Sequence, residues 1–130
     1  MPHRLCKVAG FALIAVGLSG FAMPHLLGMH LTTIHNVVHL LTGALALYFG
    51  FANPGGARGF ALGFGSVYLL LGVIGFVAPQ LFASIIGHGG DAEARAFLAD
   101  NVVHIVIGAT FLAVALASAP NKTPIGFGRS

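Results

Sequence analysis

The sequence predicts an all-α integral membrane protein: a four-helix bundle of two parallel-repeat helical hairpins, with the N and C termini cytoplasmic. Three observations predict it. Of 130 residues, 57% are apolar and 7% charged, against about a quarter charged in an ordinary soluble domain. Six Lys and Arg and three Asp and Glu cannot coat a globule of this size, so a water-soluble domain is excluded. Four apolar runs approach the length of a crossing, about 20 residues, and several residues recur in register between the two halves. The chain 1–130 is then one transmembrane domain, with repeat 1 at about 8–52 and repeat 2 at about 59–118.

The first run, Val8 to Met23, stops at Pro24. Its basic start and the small residues around Gly20 to Ala22 also describe a cleavable signal peptide. The repeat argues against cleavage, because losing this run removes half of one copy. The second run, Thr33 to Phe51, ends at Asn53-Pro54-Gly55-Gly56, a turn that no helix continues through. The third, Phe60 to Val77, is closed by Pro79, and the fourth, Phe97 to Ser118, by Pro120. Leu81 to Ile86 is expected to lie in the outer interface and close over the histidines. Apart from Asp100 at the start of the fourth, no run contains Lys, Arg, Asp or Glu.

The internal repeat joins run 1 to run 3 and run 2 to run 4. Gly17, Gly20, Phe21, Pro24 and Leu26 recur at the same spacing as Gly72, Gly75, Phe76, Pro79 and Leu81. Asn36, Val37, Val38, His39 and Gly43 recur as Asn101, Val102, Val103, His104 and Gly108. The second half has the longer loop, around Gly87-His88-Gly89-Gly90-Asp91. Orientation follows from basic residues in short loops. Arg4, Lys7, Arg58, Lys122 and Arg129 share one side, while Arg95 lies on the other beside Asp91 and Glu93. The expected location is the bacterial inner membrane, multi-pass, with the lipid bilayer as the principal partner. A homo-oligomer or a larger membrane complex stays open.

Net charge of +3 comes from scattered residues, with no basic patch or aromatic stacking face for nucleic acid. Lone Cys6 permits no intramolecular disulfide and reads as a reduced thiol at a helix start. There is no Gly-x-Ser-x-Gly, Walker loop or His-Glu-x-x-His, so hydrolysis or group transfer has no motif to carry it. Tyr48 reads as an interfacial anchor, and Tyr68 is expected to find a helix–helix hydrogen bond.

Histidine is the polar residue that stands out. His25, His30, His35, His39, His88 and His104 fall in the outer half or outer loops, leaving His3 inside. A polar side chain within a span is costly unless paired, so His39 and His104 need partners or a cavity. His35, Asn36, His39 and Gly43 share one helix face; the second copy offers Asp100, Asn101, His104 and Gly108. The doubled Asn-x-x-His-x-x-x-Gly, Asn36 to Gly43 and Asn101 to Gly108, resembles an uncharacterised family of bacterial four-helix integral membrane proteins, DoxX-like in general appearance. Val67 to Val73 is similar to that family's third span. The resemblance implies an all-helical four-span protein and brings no established reaction; His35 and the long second loop depart from its pattern.

Three readings follow. In the first, Asn36 bonds His104 and Asn101 bonds His39, a structural polar layer (Asn36, His39, Gly43, Asn101, His104, Gly108) joining the second and fourth spans of a structural or accessory subunit. Gly43 and Gly108, with Gly59 and Gly63 at small-xxx-small spacing, then let backbones approach closely. In the second, His39 and His104 ligate a haem b iron, with a porphyrin edge admitted at Gly43 and Gly108, or join His35 or an outer-loop histidine around Cu or Zn. In the third, Asp100 and His35 form an acid–base pair for proton or small-solute transport by an oligomer, although the inner halves of the spans hold no ionisable residue to continue a relay.

Overall fold

A computed structural model describes residues 1–85 and 98–118, with backbone alone at positions 82, 83 and 85. Every secondary-structure element among the described residues is a helix or helical turn, without strands. Helix α1 is Pro2–Ala22; a single 3-10 turn, Leu26–Gly28, leads to α2, Thr33–Leu47, which runs on through a π-turn at Tyr48–Ala52. After the turn Pro54–Gly56 come α3 (Ala57–Val77), α4 (Pro79–Ile85) and α5 (Leu98–Ala117). Four of these segments are long and apolar enough to cross a membrane: Pro2–Ala22, Thr33–Ala52, Pro54–Val77 and Leu98–Ala117. His88, Asp91, Glu93, Arg95, Lys122 and Arg129 lie outside the described residues.

Local chemistry sets the ends. Helix α1 starts at Pro2, six residues before the apolar run, because proline at a first turn has no N–H to leave unpaired. Arg4 and Lys7 are therefore helical, and the Lys7 ammonium sits 4.3 Å above the Phe51 ring at the far end of the second span. Thr32 caps α2, its hydroxyl oxygen accepting the His35 N–H at 3.1 Å. Asn53 Oδ1 accepts the Gly56 N–H at 3.1 Å and closes the next turn. Arg58 Nε donates to Ala115 O at 3.0 Å and Ser118 O at 3.1 Å, placing a cation on carbonyls at the end of α5. Lys7 and Arg58 thus gather at one end of the bundle, and Asp100 begins α5 at the other.

The helices pair as two antiparallel hairpins, α1 with α2 and α3 with α5. Glycine allows the approach. A Cβ on Gly10 would come within 2.9 Å of Gly43 O, and one on Gly65 within 2.9 Å of Gly108 O. One on Gly17 would meet Asn36 O at 2.9 Å, and one on Gly72 Asn101 O at 2.9 Å. Gly59 and Gly63 do not share this role: nothing lies within 4 Å of either added Cβ. The expected small-xxx-small contact there is corrected; that face of α3 points outward, and Gly65, Gly72 and Gly75 make the packing surface.

The interior has two layers. Toward the basic end, Cys6, Leu13, Ala61, Phe64, Tyr68 and Phe111 form an apolar cluster, with Phe64 and Phe111 ring centroids 4.7 Å apart. Toward the other end, six buried residues are polar: His35, Asn36, His39, Asp100, Asn101 and His104. Outward faces are apolar, as at Val8, Leu18, Leu41, Val67, Leu70 and Leu116, each more than half exposed. Tyr48 is exposed at the end of the second span.

Candidate metal centre

The polar layer forms where the first two turns of α2 meet the first two turns of α5. His35 and His39, four residues apart on α2, project from one face. His104 comes from α5. One ring nitrogen from each of the three lies within 4.8 Å of the others, and all three residues are buried. Ring centroids of His35 and His39 are 4.3 Å apart. His35 stacks on His104 at 5.7 Å and 15°, which ties the two hairpins together at this level.

Backbone carbonyls set two tautomers. A carbonyl only accepts, so a ring nitrogen facing one carries the proton. His35 Nδ1–H donates to His30 O at 3.0 Å, and His104 Nδ1–H donates to Asp100 O at 2.6 Å. In both rings Nε2 is then the nitrogen with the lone pair. His35 Nε2 and His39 Nδ1 are buried without a hydrogen-bond partner among the described residues. Ligand histidines characteristically donate their second N–H to a carbonyl or carboxylate, which orients the ring and raises its basicity. Converging lone pairs repel unless a cation lies between them.

The asparagines are placed otherwise than the reciprocal scheme requires. Asn36 Nδ2 donates to Leu31 O at 3.4 Å, and its side chain occupies the space that a Cβ on Gly20 would take. Asn101 does the same against Gly75. Each asparagine is thus packed into its own hairpin, and the Asn36–His104 and Asn101–His39 bonds are replaced by these contacts. Gly43 and Gly108 are also not part of the polar layer. A Cβ on Gly43 would lie 2.8 Å from Ile14 Cγ1 and 3.0 Å from Gly10 O; one on Gly108 would lie 2.8 Å from Gly65 O and from Leu69 Cα. These notches hold neighbouring helices, so the slots expected for a porphyrin edge are filled and the residues do not fit haem b.

Asp100 meets His30, which neither the repeat nor a shared helix face singles out. Asp100 Oδ2 accepts the His30 backbone N–H at 3.0 Å, and the His30 ring nitrogen Nδ1 lies 3.9 Å from the same oxygen. The expected Asp100–His35 pairing gives way to this one because the connection between α1 and α2 folds back over the layer. Met29 and Leu31 are buried there, and Leu27 takes a left-handed φ of 54° to make the turn. Of the segment expected to cover the histidines, Leu81 to Ile86, the part through Ile85 belongs to α4, which packs against α3, and Ile86 lies outside the described residues. Tyr68 faces His104 with ring centroids 5.1 Å apart and lies against the Thr42 side chain of α2.

No protein-family model, curated protein or solved structure matches this chain. Its chemistry is therefore read from its geometry. Three neutral imidazoles suit zinc or copper. Tetrahedral Zn–N bonds of about 2.0–2.1 Å put ligand nitrogens about 3.3 Å apart. With the present nitrogens within 4.8 Å, holding such an ion would require the rings to draw together by at most about 1.5 Å, and three protein ligands would leave a fourth position open.

Proposed function

We propose that this chain is a four-span integral membrane protein that holds a transition-metal ion, Zn²⁺ or Cu²⁺, on His35, His39 and His104. The observation that carries the reading is the convergence of three buried imidazoles within 4.8 Å, two of them fixed by backbone carbonyls with Nε2 as the lone-pair nitrogen. A ligand set assembled at this depth from two hairpins also holds them together, which makes metal binding and bundle integrity one function.

Membrane insertion is supported by four apolar helices of spanning length and by outward faces of Val, Leu and Phe around an interior that holds the polar groups. The duplicated hairpin is supported by matched contacts: Gly10, Gly17 and Gly20 meet α2 as Gly65, Gly72 and Gly75 meet α5. Cytoplasmic termini in a bacterial inner membrane are the orientation that the positive-inside rule favours, with Lys7 and Arg58 at one end and Asp100 at the other. The likeness to DoxX-like four-helix membrane proteins, carried by the doubled motif, accords with this architecture.

A second reading, a structural or accessory subunit in a homo-oligomer or larger complex, is favoured by Asn36 and Asn101, which pack into glycine notches within their own hairpins. Metal analysis separates the two. Protein purified in detergent under metal-controlled conditions is expected to retain about one zinc or copper per chain and to lose it in His35→Ala, His39→Ala and His104→Ala. A helical wild-type preparation that takes up neither metal overturns the metal reading and leaves the structural one.

A further inference from the structure

A cavity of about 360 Å³ runs between α1 and α5 and ends on the histidine layer, at the lower end of the range for ligand pockets, about 300–1,000 Å³. Its walls are Leu5, Ala12 and Val16 of α1 and Ile107 and Phe111 of α5, and its polar end is formed by His35, His39, His104 and Asp100 with Tyr68. Leu5 to Val16 spans about 16 Å along a helix at 1.5 Å per residue. Val16 lies at the level of the histidines, since neighbouring Gly17 abuts His39 Cβ. The cavity is thus a slot parallel to the helix axes, apolar along its length apart from Thr110, with the buried His35, His39, His104 and Asp100 behind one end. Val8 and Val106, both more than half exposed, are its lips, so it opens sideways, toward lipid in a membrane-embedded bundle.

Charge selects the polar end of an occupant. A divalent ion on three neutral imidazoles carries two positive charges, and Asp100, 1% exposed in the same wall and shared with His30, offsets at most one. At least one positive charge is left in a low-dielectric interior, where an unbalanced charge is expensive. A monoanion in the fourth coordination position neutralises it. The slot's length and lateral opening select a chain that already lies along the bilayer normal.

Building on the metal reading, we propose that the α1–α5 slot binds a single-chain fatty acid from the bilayer, its carboxylate on the open position of the metal and its tail between Ala12 and Ile107. The tail adds apolar burial to a metal–oxygen bond, so affinity rises with chain length.

The test uses the full chain loaded with Co²⁺ in phosphatidylcholine nanodiscs, whose visible d–d bands report the coordination sphere. Dodecanoate is expected to shift the bands with an apparent affinity at least tenfold tighter than butyrate, at equal concentrations within the nanodisc lipid. Ala12→Trp, a substitution at an exposed wall position, is expected to weaken the dodecanoate response at least tenfold while the cobalt bands persist; Val106→Trp obstructs the slot from the opposite lip. Leu18→Trp, exposed on α1 away from the slot, is expected to change nothing. Cobalt bands that dodecanoate does not move, that butyrate moves equally well, or that respond unchanged in both slot variants overturn the inference alone. A helical chain with no cobalt bands overturns the metal reading and this inference with it.

Discussion

Replacing Gly108 and Gly59 by alanine applies the same chemical change to two helical positions of opposite surroundings. At Gly108 the new methyl meets backbone: Gly65 O and Leu69 Cα both lie 2.8 Å away, and Leu69 N is closer. No rotamer change can move those atoms, so α3 and α5 must separate. Overpacking costs about 1–3 kcal/mol, and a contact with backbone on every side belongs at the upper end. Alanine gives back about 1 kcal/mol of helix propensity, leaving a net loss of about 1–2 kcal/mol. At Gly59 nothing lies within 4 Å, so only the propensity gain remains, about 0.5–1 kcal/mol. The two variants should differ by about 2–3 kcal/mol in reversible unfolding in mixed micelles, Gly108→Ala below wild type and Gly59→Ala at or above it. Equal effects, or a larger loss at Gly59, would refute the assignment of the packing face of α3 and the reasoning built on it.

Gly17→Ala and Gly72→Ala place a methyl 2.9 Å from Asn36 O and Asn101 O, and at Gly72 also 2.5 Å from Ile105 Cγ1 and 2.9 Å from Ile105 N; both should lose stability, Gly72→Ala the more, and a loss confined to Gly17→Ala counts against this packing. Asp100→Asn keeps an acceptor for the His30 N–H but removes a negative charge beside the site, so metal affinity should fall about tenfold through lost charge attraction, with little loss of stability. Asp100→Ala strands that donor and should cost about 1–3 kcal/mol by thermal unfolding. Removing the Arg58 guanidinium with Arg58→Met should speed amide exchange in the last turn of α5, where Arg58 now holds Ala115 O and Ser118 O. For topology, Ser84→Cys should react with an impermeant maleimide added outside intact cells and Gly55→Cys only after permeabilisation; the reverse pattern would turn the bundle over.

What could be read in advance divides along a physical line. Apolar runs and their closing prolines locate the four long helices to within a few residues, because a spanning helix needs continuous hydrocarbon. Only the start of α1 escapes that criterion, since Pro2 suits a first turn and Arg4 and Lys7 have high helix propensity without being apolar. The three histidines are visible as polar residues on faces that must be buried. Their mutual approach is partly visible, since His35 and His39 share a helix face but the arrival of His104 depends on how two hairpins dock. Residue spacing reveals a face and not what meets it. Hence Gly59 and Gly63 suggest a contact that α3 makes one face over, and Asn36 and Asn101 turn out to fill glycine notches instead of reaching across to histidines. His30 had no periodic partner to betray it; a chain reversal through Leu27 and Gly28, both at positive φ, brings it to Asp100.

X-ray absorption at the metal edge of the purified, metal-loaded protein bears most directly on the central claim. Three nitrogen scatterers at about 2.0–2.1 Å, with the outer-shell pattern of imidazole, are expected in the wild type, together with one lighter-atom ligand in the fourth position. The imidazole pattern should be lost in His39→Ala. A bound metal surrounded by oxygen or sulfur ligands, or a spectrum unchanged by removal of His35, His39 or His104, would contradict the site.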